Sequence, residues 1–237
     1  MARIILTATI LLLASAAYAE DIHGTVIIKQ RLTRKRVTAA ATLYQRGPGV
    51  ELRSDNRDDP LGAERARVVV YLEGRFPSDS ITAGSMTAIM EQKDRRFVPE
   101  LLAIPVGSTV SFPNSDHIFH NVFSLSKPKS FDLGNYPKDQ TRTVTFVKPG
   151  VEFVNCHLHS NMSAAIVVTP NKWCTIADRN GQFTLRDVPA GLYTIIAWHK
   201  AAGCIRQAVR VVSGGGATVK FFVPIDENGD TRLEASR

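Results

Sequence analysis

The run Cys156-His157-Leu158-His159-Ser160-Asn161-Met162 packs one thiol, two imidazoles and one thioether into seven residues. Cys156, His159 and Met162 stand three positions apart, so one short loop offers a thiolate, an imidazole and a soft sulfur. A further imidazole, His120 of His120-Asn121-Val122, arrives from well upstream. His120, Cys156, His159 and Met162 together make a His₂Cys set with a weak axial methionine, the donor set of one-electron copper chemistry. Copper(I) favours soft, low-coordinate sites and copper(II) favours tetragonal nitrogen and oxygen. A stiff trigonal N₂S set suits neither fully, so little rearrangement accompanies electron transfer. An iron–sulfur cluster or binuclear copper centre needs several thiolates in reach, and this loop has one. Each residue alone reads as ordinary, the cysteine and methionine as core filler and the histidines as surface groups. The combination, placed directly after a strand pattern, selects a metal.

Other histidines need sorting. His157 reads as a neutral surface residue, with an alternative ligand as the competing reading. His117 lies three before His120, and on an extended path that odd offset points it away from the set. His199, beside Trp198, reads as a half-buried packing residue. His23 forms an amino-terminal copper chelate only if leader trimming goes one residue further than expected. No Ser-His-Asp arrangement, phosphate-cradling glycine loop or dinucleotide fingerprint is present, so the reading is a protein that is not an enzyme.

These donors have to be held by strands. Short runs rich in Val, Ile, Thr and Phe recur at Arg67–Leu72, Phe97–Ile104, Thr109–Phe112, Asn121–Leu125, Arg142–Val147, Val151–Asn155 and Ala164–Thr169. Turn residues separate them at Gly107-Ser108, Pro113-Asn114, Gly134-Asn135 and Pro149-Gly150. No amphipathic helical stripe interrupts the series, which predicts an all-β antiparallel sandwich or barrel. Ser80–Met90 is left unassigned. After Pro170 a second set follows: Cys174–Ala177, Gln182–Leu185, Leu192–His199, Ile205–Val212 and Ala217–Val223. Asp178-Arg179-Asn180-Gly181 and Pro189-Ala190-Gly191 are turn signals between them. This set predicts a smaller C-terminal β-sandwich. His23–Ile28 reads as an N-terminal strand that pairs with it.

Ala2-Arg3, the apolar run Ile4–Leu13 and Ala17-Tyr18-Ala19 read as a secretory leader cleaved after Ala19. The apolar run is too short to span a bilayer comfortably, and no later stretch reads as a membrane span. The expected location is the periplasm. The chain carries a formal net charge of +7, of which the leader holds one. In an exported protein that balance favours acidic protein partners or anionic surfaces over nucleic acid, since no aromatics interleave with basic residues. Lys29–Arg36 is either a docking stretch for an acidic partner or a solvated linker. Cys174 and Cys204 form a disulfide or stand as two separate small hydrophobes. Asp226–Asp230 lacks the full spacing of a calcium loop and reads as a terminal turn.

Thr109–Val122 (TVSFPNSDHIFHNV) and Val147–Val168 (VKPGVEFVNCHLHSNMSAAIVV) resemble the two ligand-bearing segments of cupredoxins. The Cys-x-x-His-x-x-Met spacing is the short loop of the amicyanin type. The resemblance implies a Greek-key barrel or sandwich with one type 1 copper on His120, Cys156, His159 and Met162, with Asn121 tying the ligand loops together. The chain departs from the pattern in two places: Ser160 stands where a proline usually follows the ligand histidine, and His157 follows the cysteine. More loosely, the chain is similar to periplasmic methylamine-utilisation-type proteins. From Lys172 to Val223 the chain resembles the transthyretin-like or carboxypeptidase-regulatory-like sandwich, carried by Gly181–Tyr193 (GQFTLRDVPAGLY). The expected division is a leader at 1–19, an N-terminal strand and basic linker at 20–66, a cupredoxin domain at 67–170, a second sandwich at 171–226 and a tail at 227–237. The leading functional expectation is a blue-copper electron carrier between redox partner proteins, with the electron leaving through His159. Copper storage or delivery is the alternative. A third is an adaptor in a cell-envelope assembly, docking through its C-terminal sandwich.

Overall fold

The computed structural model describes residues 19–32, 59, 61–76 and 85–224. The expected leader apart from Ala19, residues 33–36 of the basic stretch, residues 80–84 of Ser80–Met90, the calcium-like turn and the expected tail fall outside the described residues. In chain order the elements are β1 (Glu20–Ile27), α1 (Gly62–Arg65), β2 (Val69–Glu73), β3 (Thr87–Ile89), β4 (Glu91–Lys93), β5 (Arg96–Val98), β6 (Leu101–Pro105), β7 (Thr109–Pro113) and β8 (His120–Ser124). They continue with β9 (Phe131–Tyr136), β10 (Thr141–Thr145), β11 (Gly150–Asn155), β12 (Ser163–Thr169), β13 (Cys174–Ile176), β14 (Gln182–Val188), β15 (Gly191–His199), β16 (Gly203–Val211) and β17 (Ala217–Phe222). The fold is all-β, two sandwiches stacked side by side.

The first sandwich pairs a three-stranded sheet, β10-β7-β3, with a five-stranded sheet, β6-β12-β11-β8-β9. Alternating apolar residues from both sheets meet between them, among them Val110, Phe112, Val122, Val144, Val154, Ile166 and Val168. The second pairs β14-β1-β17 with β13-β2-β15-β16. Its core gathers Ile22, Val26, Val70, Leu72, Leu185, Ile195, Val209 and Phe221. Here β1 runs parallel to β17 and antiparallel to β14, so the N-terminal strand is the middle of a C-terminal sheet. Gly24 permits this: a β-carbon there would lie 2.1 Å from the Phe183 ring.

A third, smaller apolar layer joins the two. Strand β12 is buried on both faces. Ala164, Ile166 and Val168 face the first core, while Ala165 and Val167 face Val69 and Trp198 of the second sandwich. Partly buried Tyr71, Leu101, Ala103, Val151 and Ile176 surround this junction. A fully buried valine contributes roughly 1.5–3 kcal/mol, so even this thin layer favours the packed arrangement.

Several expectations need correction. The Arg67–Leu72 run does form a strand, β2, but it hydrogen-bonds to β13 and β15 of the second sandwich and not within the 67–170 set. Partner choice is a non-local property, and a valine-rich run reads alike in either sheet. Phe97–Ile104 is two strands, β5 and β6, in separate sheets, because Pro99 lacks the N–H that would continue the ladder. Gly134-Asn135 is not a turn; it lies inside β9, with Gly134 at φ +66°. Within Ser80–Met90, Thr87–Ile89 is a strand parallel to β7. The Asp178–Gly181 turn closes as expected with Gly181 at φ +83°, yet β13 and β14 enter different sheets.

Candidate metal centre

Loop 114–119 carries the chain from β7 to His120, the first residue of β8, and Asn114 organises it. Its buried side-chain amide donates to the carbonyls of Ile118 (2.9 Å) and Tyr136 (3.1 Å), and its Oδ1 accepts the N–H of Asp116 (2.9 Å). His120 emerges fully buried, its Nε2 2.8 Å from Asp116 Oδ2 and its Nδ1 turned inward. On the other side, β11 delivers Cys156. The following loop closes on itself, with the N–H of Met162 donating to His159 O (2.9 Å) and the N–H of Cys156 to Met162 O (3.3 Å). The loop therefore returns over its own start and sets His159 above Cys156.

The three donors converge. His120 Nδ1 and His159 Nδ1 are 3.1 Å apart, Cys156 Sγ is 3.8 Å from His159 Nδ1, and all three ligand atoms lie within 4.8 Å of one another. Among the described residues this is the cluster with the donors for a metal. An ion bound to nitrogen at about 2.0 Å and sulfur at about 2.3 Å spaces its donors by about 3.3–3.8 Å in trigonal to tetrahedral arrays. The Cys156–His159 separation falls in that range and the two imidazole nitrogens sit slightly closer, so the three atoms need shift by only some tenths of an ångström to about one ångström to surround an ion, and a borderline-to-soft N₂S set matches copper in chemistry. The backbone N–H of Asn121 points at Cys156 Sγ (3.4 Å), a hydrogen bond that stabilises a thiolate. Burial, with His120 and Arg95 nearby, lowers the pKa of His159, favouring the neutral imidazole that metal ligation needs. Met162 is buried in the same core as Cys156.

Asn121 differs from expectation. Its backbone reaches the ligand loop, but its side-chain Nδ2 donates to Asp132 Oδ1 on β9 (2.7 Å). His157 stands outside the cluster, stacked on Phe123 (centroids 3.7 Å apart) with Nε2 3.5 Å from Asp132. Exposed His117 is also outside, its Nε2 accepting from Lys138 Nζ at 3.0 Å. His23 lies on β1 against Thr184, in the second sandwich. His199, expected half-buried, is 1 % exposed and sits 3.3 Å from Glu64 of α1. Cys174 and Cys204 are free thiols on opposite edge strands, β13 and β16. Three strand spacings, about 14 Å, separate those strands, well beyond disulfide range.

Sequence reasoning missed three neighbours of the cluster. Asp116 contacts His120 directly. It also accepts the N–H groups of Asp94 (2.8 Å, Oδ1) and Arg95 (2.9 Å, Oδ2). Burial opposes its ionisation, but these bonds and the His120 contact outweigh it and hold the carboxyl below its ordinary range. Tyr136, opposite His120 on β9, is buried; its hydroxyl donates to Phe112 O (2.8 Å) and accepts from Gln92 Nε2 (2.5 Å). Burial raises its pKa, so it stays neutral. Asp132 holds both Asn121 and His157. Only Asp116 left a trace in the sequence, as an acid four positions before a candidate ligand.

No family model matches the chain, and no curated protein does. Among solved structures, a purple cupredoxin from Nitrosopumilus maritimus is 23% identical, covering 35% of this chain and 99% of its own, at a TM-score of 0.32. A reduced, singly substituted amicyanin is 21% identical over 44% of this chain and 99% of its own, at 0.33. A copper-containing nitrite reductase from Thermus scotoductus SA-01 is 26% identical over 35% of this chain, at 0.34. This chain spans 22% of that reductase. No helix among the described residues is long and apolar enough to cross a membrane.

Proposed function

We propose that this protein is a periplasmic blue-copper electron carrier, holding one type 1 copper ion on His120, Cys156, His159 and Met162. The observation that carries the reading is the convergence of two imidazole Nδ1 atoms and one cysteine sulfur at a largely buried point between β8 and the β11–β12 loop. Copper bound there supplies a reversible one-electron couple. The chain's own residues do the rest. Asn121 N–H steadies the Cys156 sulfur, burial of His120, Cys156 and Met162 keeps water away, and two packed sheets hold the donors so that they move little. Met162 serves as the weak axial sulfur. His159 is the less buried imidazole, flanked in sequence by exposed Leu158, and is the exit for the electron.

In this reading residues 1–19 are a cleaved leader, the first sandwich carries the metal, and the second braces it. The partners are redox proteins with acidic surfaces that complement the net positive charge, and the protein performs no bond chemistry of its own. The test is to add copper(II) to the purified protein, record visible absorption and then titrate with reductant. An intense blue thiolate-to-copper band with reversible one-electron reduction is expected. A weak band with rapid loss of copper to a chelator assigns storage or delivery instead, and no band at all removes the ligand assignment.

A further inference from the structure

We propose that Asp116 is the positioning residue of this centre, fixing which nitrogen of His120 faces the donor cluster, and that the β4–β5 turn is its anchor. The inference rests on the copper reading above for its redox consequence, but its geometric core concerns the chain alone. A histidine buried on all sides has two nitrogens, and only one can face Cys156 and His159. In His120 that atom is Nδ1, 3.1 Å from His159 Nδ1, while Nε2 is 2.8 Å from Asp116 Oδ2. A carboxylate is an acceptor only, so Nε2 carries the proton and Nδ1 is left with its lone pair toward the cluster.

Asp116 can impose this choice because it is itself held on every side. Its Oδ1 accepts the N–H of Asp94 and its Oδ2 the N–H of Arg95, while its own N–H donates to Asn114. Asp94 and Arg95 are the two loop residues of the β4–β5 hairpin, at φ +53° and +55°, the type I′ geometry that aims successive N–H groups to one side. Two further contacts tie the hairpin to this loop: Ser115 N–H donates to Gln92 O (2.9 Å), and the Ser115 hydroxyl donates to Glu91. A hairpin that carries no ligand thus sets the orientation of one. The negative charge on Asp116 also makes His120 a stronger donor, which favours copper(II) over copper(I).

The experiment uses the whole mature protein with Asp116→Asn, Asp116→Ala and Asp116→Glu, each first checked for wild-type circular dichroism. In the copper-free protein, long-range ¹H–¹⁵N correlation of His120 is expected to show a single Nε2–H tautomer in the wild type. Asp116→Ala should show a mixture or the Nδ1–H form, with copper(II) affinity about 10- to 100-fold lower. Asp116→Asn keeps the shape and removes the charge. It is expected to shift the copper(II)/copper(I) ratio about tenfold toward copper(I), a rise of 59 mV for one electron. Asp116→Glu should recover part of that shift. An unchanged His120 tautomer in Asp116→Ala overturns the positioning role, with or without copper. An unchanged potential in Asp116→Asn overturns the redox consequence. A wild type that shows no blue band sinks the copper reading, and the tautomer measurement still decides the role of Asp116.

Discussion

Two buried histidines, one in each sandwich, separate packing from function. His120 and His199 are both almost wholly removed from solvent, and each has a carboxylate beside its Nε2, Asp116 at 2.8 Å and Glu64 at 3.3 Å. They differ at the other nitrogen. His199 Nδ1 accepts the N–H of Ala201 (3.2 Å), so the nitrogen away from the carboxylate is taken up by the backbone. His120 Nδ1 faces another imidazole and, beyond it, a thiol. A carboxylate beside a buried histidine is therefore no sign of chemistry; what its second nitrogen meets decides the matter.

The comparison can be broken or sharpened by substitution. Cys156→Ser has the largest expected effect. The blue band disappears entirely while far-ultraviolet circular dichroism stays β-rich, and a retained band would break the contrast at its root. His199→Ala should do the opposite, leaving the visible spectrum intact and destabilising the fold by about 2–4 kcal/mol, read from denaturant unfolding, because it opens a cavity in the packed interior and takes a polar neighbour from buried Glu64. Met162→Gln should keep copper and lower the potential by about 59 mV, a tenfold shift toward copper(II), since a harder axial donor replaces the thioether. An unmoved potential means Met162 is not axial.

The smallest effect concerns a third buried group. Glu152 is fully buried and accepts from the Ser124 hydroxyl (3.1 Å), with Ser126 and the Lys129 backbone also close by. Burial raises its pKa above the ordinary 4.5. The folded state then holds this proton more tightly than the unfolded chain, so stability falls as pH climbs from 4.5 through the raised value. Glu152→Gln should raise Tm at pH 7 by about 2–4 °C, with the gain vanishing below pH 4 in a thermal melt series.

The convergence of Cys156 and His159 was legible because it is local, needing only a tight return of the chain. His120 was legible through a short upstream motif and the strand that follows it. Asp116 was not, because its meaning depends on the Asp94–Arg95 turn some twenty residues away, and no periodicity links the two. Strand content was visible from apolar alternation, but sheet membership was not, as β2 illustrates. Val69 and Val70 point into different cores, so the run has no polar face to mark its side. β9 escaped notice because Gly134 carries a turn-like φ within a strand.

Strand β12 begins at the residue after Met162, and from Ala164 to Val168 it lies between two apolar layers. Ala165–Val168 pair with both β6 and β11, so a local breathing motion does not free them. Hydrogen exchange across Ala165–Val168 should therefore require the two sandwiches to come apart, and this segment is expected among the slowest-exchanging of the described residues. The far end of the Cys156–Met162 loop is thus moored to a strand that the two sandwiches clasp between them.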